Sequence, residues 1–377
     1  MLIKNLIIFG TRPEAIKMAP LIHVFKRFPE QFDTKVCITA QHREMLDQVL
    51  DFFEIVPDFD LNLMRPDQNL YNLTSDILLG LKPVLETFRP DYVYVHGDTT
   101  TTMAASLAGF YNGSKICHIE AGLRTYNLKS PFPEEMNRQV TTVLTDYFFA
   151  PTETSKQNLL SEKKDEKTVC VTGNTVIDAL LHGIDKVNDP DFEDAEISIL
   201  KSIMQPEKRI ILVTGHRREN HGDGFIRICE VLKQIADGFP DVQIIYPVHL
   251  NPNVKEPVYR LLSDIDNVSL IDPLSYPAFI WLMEKAYLLI TDSGGVQEEA
   301  PSLGKPVLVM RDTTERPEAV IAGTVILVGT DKQKIFSETS RLLNDTAAYN
   351  SMSKVHNPYG DGKAASRIVK FIQDQNQ

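Results

Sequence analysis

Short runs of apolar residues alternate with amphipathic helical patterns along most of this chain. The runs predicted as strands are residues 6–9, 35–39, 92–96, 115–119, 147–150, 209–214, 242–247, 268–271, 287–291, 306–310 and 325–328. Strands that are apolar throughout, rather than at alternate positions, are typical of parallel sheets covered by helices on both faces. The pattern therefore predicts an α/β fold built from doubly wound, Rossmann-like parallel sheets.

The regular series of strands pauses once, after residue 171 and before the run at 209–214. Residues 187–205 are acidic and less regular, and a new set of strands follows them. We therefore predict two domains, the first over residues 1–170 and the second over residues 171–362. A last helical pattern follows the turn-rich residues 357–362, and the pattern alone allows it to pack on either domain.

Composition describes an ordinary globular protein of 377 residues, with 43% hydrophobic and 24% charged residues. The apolar start of the chain is broken by Gly10, which favours a core strand over a signal peptide or membrane span. Four cysteines lie singly in apolar segments, so we expect reduced, buried thiols in a cytoplasmic protein and no disulfide or zinc framework. These cysteines are Cys37, Cys117, Cys170 and Cys229.

The formal net charge of −12 argues against nucleic acid or an anionic membrane as partner. An anionic small ligand would therefore need a local cluster of basic side chains. Such side chains do follow several predicted strands, where ligands bind in open parallel sheets. They are Arg12, Lys17, His216, Arg217, Arg218 and Arg316. A solvated first helical turn is the alternative for Arg12 and Lys17. The segment YPVHLNP offers a further histidine, His249, for which a plain loop position is favoured.

The loop DSGG, residues 292–295, follows the predicted strand 287–291 and precedes a helical pattern. Its glycines allow close approach of a ligand to the backbone, and the N–H groups of the first helical turn suit a phosphate. Glu299, about one turn further on, could reach a ribose hydroxyl. The alternative is a plain strand-to-helix turn without a ligand.

Three carboxylates in the first half of the chain are candidates for acid–base chemistry. Asp98 follows strand 92–96, where it could instead cap the next helix. Glu120 closes strand 115–119, and a carboxylate there is costly unless it is paired or used. Glu134 stands in the first turn of a predicted helix, where an acid also suits the helix dipole.

Other kinds of site fit less well. His96 with Asp98, and His118 with Glu120, could together hold a divalent ion. Both histidines lie inside strands and are expected to point into packing, so no metal site is predicted. No cysteine sits in an exposed basic loop, and no Gly-x-Ser-x-Gly elbow follows a strand, which argues against cysteine and serine hydrolase chemistry.

Motifs spread from residue 10 to residue 362 together resemble the non-hydrolysing UDP-N-acetylglucosamine 2-epimerases. They are GTRPEAIKMAP, AQHREML, HGDTTTT, EAGLRT, PFPEEMNR, GNTVIDAL, GHRREN, YPVHLNPNV, TDSGGVQEEAPSLGKPVL, RDTTERPEA and NPYGDG. The resemblance implies a two-domain GT-B fold with a central cleft, in which the last helix, residues 363–377, joins the first domain. It also implies a cytoplasmic homodimer that uses no metal, nicotinamide or other cofactor.

The activity implied by the resemblance is reversible epimerisation at C-2 between UDP-N-acetylglucosamine and UDP-N-acetylmannosamine, for surface polysaccharide precursors. The implied mechanism is elimination of UDP to 2-acetamidoglucal, followed by return of UDP with a proton on the opposite face. Direct deprotonation at C-2 would leave an unstabilised carbanion, because no ketone is adjacent. Expelling UDP from the neighbouring carbon accommodates that charge.

The family's functional positions can be carried onto matching residues of this chain. The catalytic set is Lys17, Asp98, Glu120, Glu134 and His216. The UDP-binding set is Arg12, Phe279, Ser293, Gly294, Gly295, Glu299 and Arg316. Members of the family can also bind a second UDP-N-acetylglucosamine as an allosteric activator, and the matching set is Gln41, Glu135, Arg217 and His249.

Three alternatives share the predicted nucleotide loop. A GT-B glycosyltransferase would need an acceptor site, often beside an apolar patch that faces a membrane. A hydrolysing epimerase would release free N-acetylmannosamine and UDP. A non-catalytic sensor would bind the UDP-sugar without exchanging its hydrogen for solvent deuterium, but three carboxylates near a basic cluster favour an enzyme.

Overall fold

The structure is a computed structural model that describes residues 2–40, 43–65 and 68–376. The chain divides into two compact units. The amino-terminal unit is Met1–Ala179 with Tyr359–Gln377, and the carboxy-terminal unit is Leu180–Pro358. The sequence pattern predicts the two boundaries between the units after residues 170 and 362, whereas the structure places them after residues 179 and 358. Each unit contains its own parallel sheet, so the predicted α/β class with two doubly wound sheets is confirmed.

The described residues of the amino-terminal unit form a seven-stranded parallel sheet in the order β3-β2-β1-β4-β5-β6-β7. Its strands are β1 Ile3–Phe9, β2 Phe32–Ile38, β3 Phe59–Asp60, β4 Tyr92–His96, β5 Lys115–Ile119, β6 Tyr147–Ala150 and β7 Val169–Val171. The order reverses between β1 and β4, which are paired neighbours. Loops that follow strands at such a switch point line the ligand edge of a doubly wound sheet.

Helices cover both faces of this sheet. They are α1 Arg12–Lys26, α2 Arg43–Phe52, α3 Leu70–Phe88, α4 Thr100–Asn112, α5 Glu134–Leu144, α6 Glu153–Ser161, a 3-10 turn at Glu166–Thr168, α7 Thr175–Val187, which contains the division between the units, and the final helix, numbered α16, Ala364–Asp374. Apolar side chains of β1 and β4 pack against α3 and α4, for example Ile8 and Val95 against Leu81 and Ala104.

The final helix, α16, packs on the amino-terminal unit. It contacts α1, and the ring of Phe371 lies edge-on to Tyr147 at 5.5 Å and to Phe149 at 5.4 Å between centroids. These aromatic contacts decide what the helical pattern alone left open.

The described residues of the carboxy-terminal unit form a six-stranded parallel sheet in the order β10-β9-β8-β11-β12-β13. Its strands are β8 Arg209–Thr214, β9 Val242–Pro247, β10 Val268–Ile271, β11 Leu288–Thr291, β12 Val307–Val309 and β13 Val325–Leu327. The switch point lies between β8 and β11, which end together because Thr214 pairs with Thr291. The core includes Ile211, Ile228 and Ile244.

The helices of this unit alternate with its strands. They are α8 Ala195–Ile203, a 3-10 turn at Arg218–Asn220, α9 Asp223–Gly238, α10 Pro252–Leu262, α11 Tyr276–Lys285, α12 Gly294–Glu299, a 3-10 turn at Ala300–Leu303, α13 Pro317–Ala322, α14 Lys332–Asn344 and α15 Thr346–Ser353.

All four cysteines are free thiols, as predicted. Burial raises the pKa of Cys37 and of Cys229 to about 12, which keeps these thiols protonated and unreactive. Cys170 differs from the expectation, since it is only half-buried on the edge strand β7. Among the described helices, none combines the length and the apolar character that a membrane span requires.

Candidate active site

Glu120 stands at the carboxyl end of β5, beside the end of β4. Its backbone φ is 63°, in the left-handed region that non-glycine residues rarely adopt. Such strain costs roughly 1–3 kcal/mol and is concentrated at functional sites. Two of the groups that hold the side chain contact Oε2, since Lys17 Nζ lies 2.5 Å from it and Asn174 Nδ2 donates to it at 2.7 Å. The structure therefore brings the predicted Lys17 and Glu120 together.

Asp98 lies one strand away, after β4. The interpretation of Asp98 as a helix cap is wrong, because Thr99 caps α4 by accepting the N–H of Thr102 at 3.1 Å. Oδ2 of Asp98 instead receives two hydrogen bonds from the Arg138 guanidinium, from Nε at 2.9 Å and from Nη2 at 2.6 Å. The Asn137 side chain donates to the Asp98 carbonyl oxygen at 2.9 Å.

Glu134 is the first residue of α5 and stands one turn before Arg138. Residues four apart share one face of a helix. The turn that carries Glu134 is therefore fastened to the loop of Asp98 through Arg138. All three predicted carboxylates lie at one edge of the amino-terminal sheet.

Glu135, the neighbour of Glu134, has a fully buried side chain. Its carboxylate accepts the backbone N–H groups of Thr125 and Tyr126 at 3.1 and 3.0 Å, and a hydrogen bond from Arg138 Nη1 at 3.0 Å. Burial acts to raise the pKa of Glu135, but these bonds and one from Gln139 outweigh it and leave the pKa below its usual value. Arg138, which sequence reasoning missed, thus joins Glu135 of α5 to Asp98 in the loop after β4.

The turn that carries Arg12 is tied to the same edge by Glu14, another residue that sequence reasoning missed. Glu14 is 2% exposed. Its carboxylate accepts the N–H of Gly10 at 3.1 Å and the hydroxyl of Thr99 at 2.7 Å. One buried side chain therefore links the turn before α1, next to Arg12, to the turn before α4, which contains Asp98. The Gly-Thr-Arg-Pro-Glu motif contained the signal, as a capping box.

The two histidines weighed as metal ligands are buried in the sheet, as expected from their place in the strands. His118 Nε2 lies 2.8 Å from the carbonyl oxygen of Gly97, and burial lowers the pKa of this imidazole to about 3. His96 Nε2 lies 3.6 Å from Glu120 Oε2. In the described ranges, no group of three or more His, Cys, Asp or Glu side chains is placed to hold a metal ion.

In the carboxy-terminal unit, β11 leads through Asp292 and Ser293 into α12, which confirms the predicted strand, turn and helix. Neither Gly294 nor Gly295 has a left-handed backbone. The nearest atom to a side chain built on Gly294 would be Arg217 Nη2 at 3.9 Å. These glycines are thus not required by the turn itself, and they leave the start of α12 open for a ligand's approach.

Arg316 is joined to α12 by a short network. Its Nε donates to the buried carboxylate of Glu298, and its backbone N–H donates to Thr314 Oγ1 at 3.0 Å. The same hydroxyl donates to Gln297 Oε1 at 2.7 Å. The structure therefore joins Arg316 to α12, the helix that follows the DSGG loop, and Glu299 lies buried at the end of the same helix.

His216 follows β8 and stands next to β11. Its ring stacks on that of His249 with 5.6 Å between centroids. Partial burial lowers the pKa of His216, and the nearby His249 and Arg217 act in the same direction against the attraction of Asp292. His216, Arg217 and His249 are therefore neighbours in this unit.

One predicted residue, Phe279, takes part in none of the contacts given above. Phe279 is half-buried in the first turn of α11 and donates its N–H to Ser275 at 2.9 Å. Gln41 lies outside the described residues.

The comparisons with known proteins agree over nearly the whole chain. Residues 26–373 match the family of UDP-N-acetylglucosamine 2-epimerase. An Escherichia coli (strain K12) UDP-N-acetylglucosamine 2-epimerase is 60% identical over 371 residues, which cover 98% of each chain.

Two solved structures are similar over the full length. UDP-GlcNAc 2-epimerase from Neisseria meningitidis, bound to UDP-GlcNAc, is 52% identical with a TM-score of 0.88, over 99% of this chain and 100% of that one. The enzyme from Methanocaldococcus jannaschii, in complex with UDP-GlcNAc and UDP, is 32% identical with a TM-score of 0.80, over 98% and 99%. The chain belongs to the UDP-N-acetylglucosamine 2-epimerase family of isomerases.

Proposed function

We propose that this protein is a non-hydrolysing epimerase that interconverts UDP-N-acetylglucosamine and UDP-N-acetylmannosamine at C-2, in the cytoplasm, for polysaccharide precursors. The observation that carries the proposal is the pair of carboxylates at adjacent strand ends, each held by its own cation. Asp98 is held by Arg138 and Glu120 by Lys17. Both solved relatives described above bind UDP-GlcNAc.

The proposed reaction is an elimination followed by an addition. A base removes the proton from C-2, the electron pair forms a C-1 to C-2 double bond, and the bond from C-1 to the diphosphate oxygen breaks. UDP leaves with that electron pair, and 2-acetamidoglucal remains. UDP then returns to C-1 while an acid delivers a proton to the opposite face of C-2. Atoms and electrons balance without an oxidant, a metal or a cofactor.

The amino-terminal unit supplies the acid and base in this proposal. Asp98, Glu120 and Glu134 lie at one sheet edge, and positioned acid–base groups each contribute about 10²–10⁴-fold. Lys17 and Arg138 neutralise two of these carboxylates in the resting protein. Neutralised in this way, the acids can lie close together and close to a negatively charged substrate without strong repulsion.

The carboxy-terminal unit binds the leaving group in this proposal. Ser293, Gly294 and Gly295 present the start of α12 to the diphosphate, and Arg316 is held beside them by Glu298. His216 assists the departing diphosphate, and one preorganised donor of this kind contributes about 10²–10³-fold. The remaining ligand contacts of the proposal are Arg12 to the diphosphate, Glu299 to the ribose and Phe279 to the uracil.

We also propose that a second UDP-N-acetylglucosamine activates the enzyme, through Gln41, Glu135, Arg217 and His249. The stacked His249 and the neighbouring Arg217 support an anionic ligand beside His216. Glu135 contributes in the described structure by holding residues 125–126. Steady-state rates measured against substrate concentration test this proposal, since an activator produces a sigmoidal curve that Arg217→Ala makes hyperbolic.

A homodimer is part of the proposal, and exposed apolar side chains support it. Leu79 on α3 is 71% exposed, and Tyr111 on α4 is 74% exposed. Together they line a cavity of about 370 Å³ between these helices. Light scattering during gel filtration tests the proposal, because Leu79→Glu with Tyr111→Glu is expected to give monomers, whereas a monomeric wild type would contradict it.

The function itself is tested by incubating the protein with UDP-N-acetylglucosamine in heavy water. We expect both nucleotide sugars in the nuclear magnetic resonance spectrum, with deuterium at C-2. Free N-acetylmannosamine with UDP would instead identify a hydrolysing epimerase, and binding without deuterium would identify a sensor. Either result overturns the proposal.

A further inference from the structure

Asp292 is a buried carboxylate to which the proposed reaction assigns no role. Its side chain has 0% exposure. Oδ2 accepts the backbone N–H groups of His216 at 2.9 Å and of Arg217 at 2.8 Å. Oδ1 has no hydrogen-bond partner within the described part of the chain, and it faces His216 Nδ1 at 3.4 Å.

The negative charge of Asp292 is not explained by the local turn. Burying a carboxylate is costly unless the charge is used. An asparagine could accept the same two backbone N–H groups through its amide oxygen without carrying a charge. The charged Oδ1 faces the imidazole of His216, which can carry a proton on Nδ1.

Asp292 also stands where the two central strands of its sheet end. The backbone N–H of Asp292 donates to the carbonyl oxygen of Thr214, the last residue of β8, at 3.2 Å. Asp292 is also the first residue of the DSGG loop, directly after β11. Asn220 completes the arrangement, because its Nδ2 donates to the Met310 carbonyl at 3.1 Å and lies 3.4 Å from Asp292 Oδ2. One carboxylate therefore fixes the relative position of His216 and the loop assigned to the diphosphate.

We infer that Asp292 is a positioning residue for His216, which directs Nδ1–H at the buried carboxylate so that Nε2–H of the protonated ring faces the leaving diphosphate. The inference rests on the proposed function, in which His216 assists that leaving group. Three described groups face the ring, and they act in opposite directions. Arg217 and His249 disfavour the protonated imidazole, whereas Asp292 favours it.

A bound diphosphate adds negative charge on the Nε2 side of the ring. The imidazolium then lies between two anions and donates to both of them, and no proton needs to leave the pair. The arrangement resembles the acid–histidine pair of hydrolases, where Asp→Asn preserves the geometry but presents the wrong tautomer and lowers kcat by about 10⁴-fold. Asp292→Asn makes the same exchange here, because it places an N–H donor or an uncharged oxygen opposite Nδ1.

The test compares Asp292→Asn, His216→Asn and the double variant with the wild type. Asp292→Asn is expected to bind UDP normally in calorimetry and to lower kcat by about 10²-fold or more. The double variant is expected to be no slower than His216→Asn, since residues that act as a unit are not additive. The limb of the kcat profile that falls with rising pH is expected to move to lower pH in Asp292→Asn, because the ring loses its anion.

A matched control is Asp345→Asn, which makes the same chemical change at the exposed cap of α15. Its kcat and pH profile are expected to equal those of the wild type. If Asp292→Asn does not fold, the wild-type protein still provides a test. With UDP bound and histidines labelled with nitrogen-15, the His216 resonance is expected to show protons on both ring nitrogens.

The possible outcomes separate this inference from the proposed function. A wild-type protein that does not form UDP-N-acetylmannosamine overturns the function. Three results with an active wild type overturn only the role of Asp292. The first is a normal kcat for Asp292→Asn when His216→Asn is impaired. The others are additive losses in the double variant and an unshifted pH limb in Asp292→Asn. A His216 ring without a proton on Nδ1 in the UDP complex also overturns it.

Discussion

The Lys17 ammonium lies 2.5 Å from the carboxylate of Glu120, and this contact joins the helix after β1 to the end of β5. Both side chains are shielded, with 13% and 11% exposure. A shielded ion pair at a ligand edge can serve chemistry as well as folding. We therefore expect turnover to depend on the Glu120 carboxylate.

Glu120→Gln is expected to lower kcat by about 10²–10⁴-fold, because the amide cannot exchange a proton with C-2. The affinity for UDP is expected to stay near the wild-type value, since all the proposed nucleotide contacts except Arg12 lie in the other unit. Steady-state kinetics and calorimetry with UDP measure the two quantities. Glu30→Gln, an exposed change, serves as the control. A comparable loss of UDP affinity would contradict the assigned role.

Arg138→Met is expected to lower the free energy of unfolding by about 3–5 kcal/mol, because it leaves the buried Glu135 without its cation. Arg138→Lys is expected to lie between this variant and the wild type, since an ammonium cannot reproduce the two bonds to Asp98. Urea denaturation measures the change. Lys156→Met removes an ion pair with the exposed Glu166, which solvent screens, and should cost much less. Equal losses for Arg138→Met and Lys156→Met would refute the buried-pair account.

His118 is expected to make stability depend on pH. Its pKa is about 3 in the folded protein and about 6.5 when unfolded, so between these values the unfolded chain binds more protons. The free energy of unfolding is therefore highest above pH 6.5. It falls as the pH decreases, and His118 alone is expected to lower it by about 2 kcal/mol at pH 5.

His118→Gln keeps an N–H donor for the Gly97 carbonyl and removes the titration. Urea denaturation at pH 7 and pH 5 is expected to show a smaller pH dependence for this variant than for the wild type. The exposed His356→Gln provides the control. An unchanged pH dependence in His118→Gln would show that other groups cause it.

Gly122→Ala is expected to destabilise the protein strongly. Gly122 has a φ of 94°, and an added Cβ would lie 2.2 Å from the Ser155 carbonyl oxygen. Gly113 also has a left-handed φ, of 83°, but an added Cβ would meet nothing within 4 Å. Thermal unfolding should show a loss of about 1–2 kcal/mol for Gly113→Ala from the backbone alone and a larger one for Gly122→Ala. Similar losses would exclude the clash as the cause.

Much of the fold could be predicted because the strands are buried on both faces and their apolar runs are continuous. The edge strands Phe59–Asp60 and Val169–Val171 were not predicted, since two or three residues form no recognisable run. Their pairing depends on neighbours distant in the sequence. The packing of α16 depends likewise on Phe371 meeting Tyr147 and Phe149.

The candidate site could be predicted where chemistry follows a strand directly. Asp98, Glu120 and the DSGG loop are of this kind. Two of their partners could not be predicted. Arg138 reaches Asp98 only through the packing of α5, and Asn174, in the loop after β7, reaches Glu120 from a distant part of the sequence. The capping interpretation of Asp98 failed by one residue, since Thr99 is also a cap-forming residue and takes that role here.

The central claim is that the bond between C-1 and the diphosphate breaks in each inversion. It is tested most directly with UDP-N-acetylglucosamine that carries oxygen-18 in the bridging position, incubated with the protein in heavy water. The account predicts that the label spreads to the non-bridging oxygens of the β-phosphate as deuterium enters C-2. Inversion at C-2 with the label confined to the bridge, and with no 2-acetamidoglucal in the quenched mixture, would contradict it.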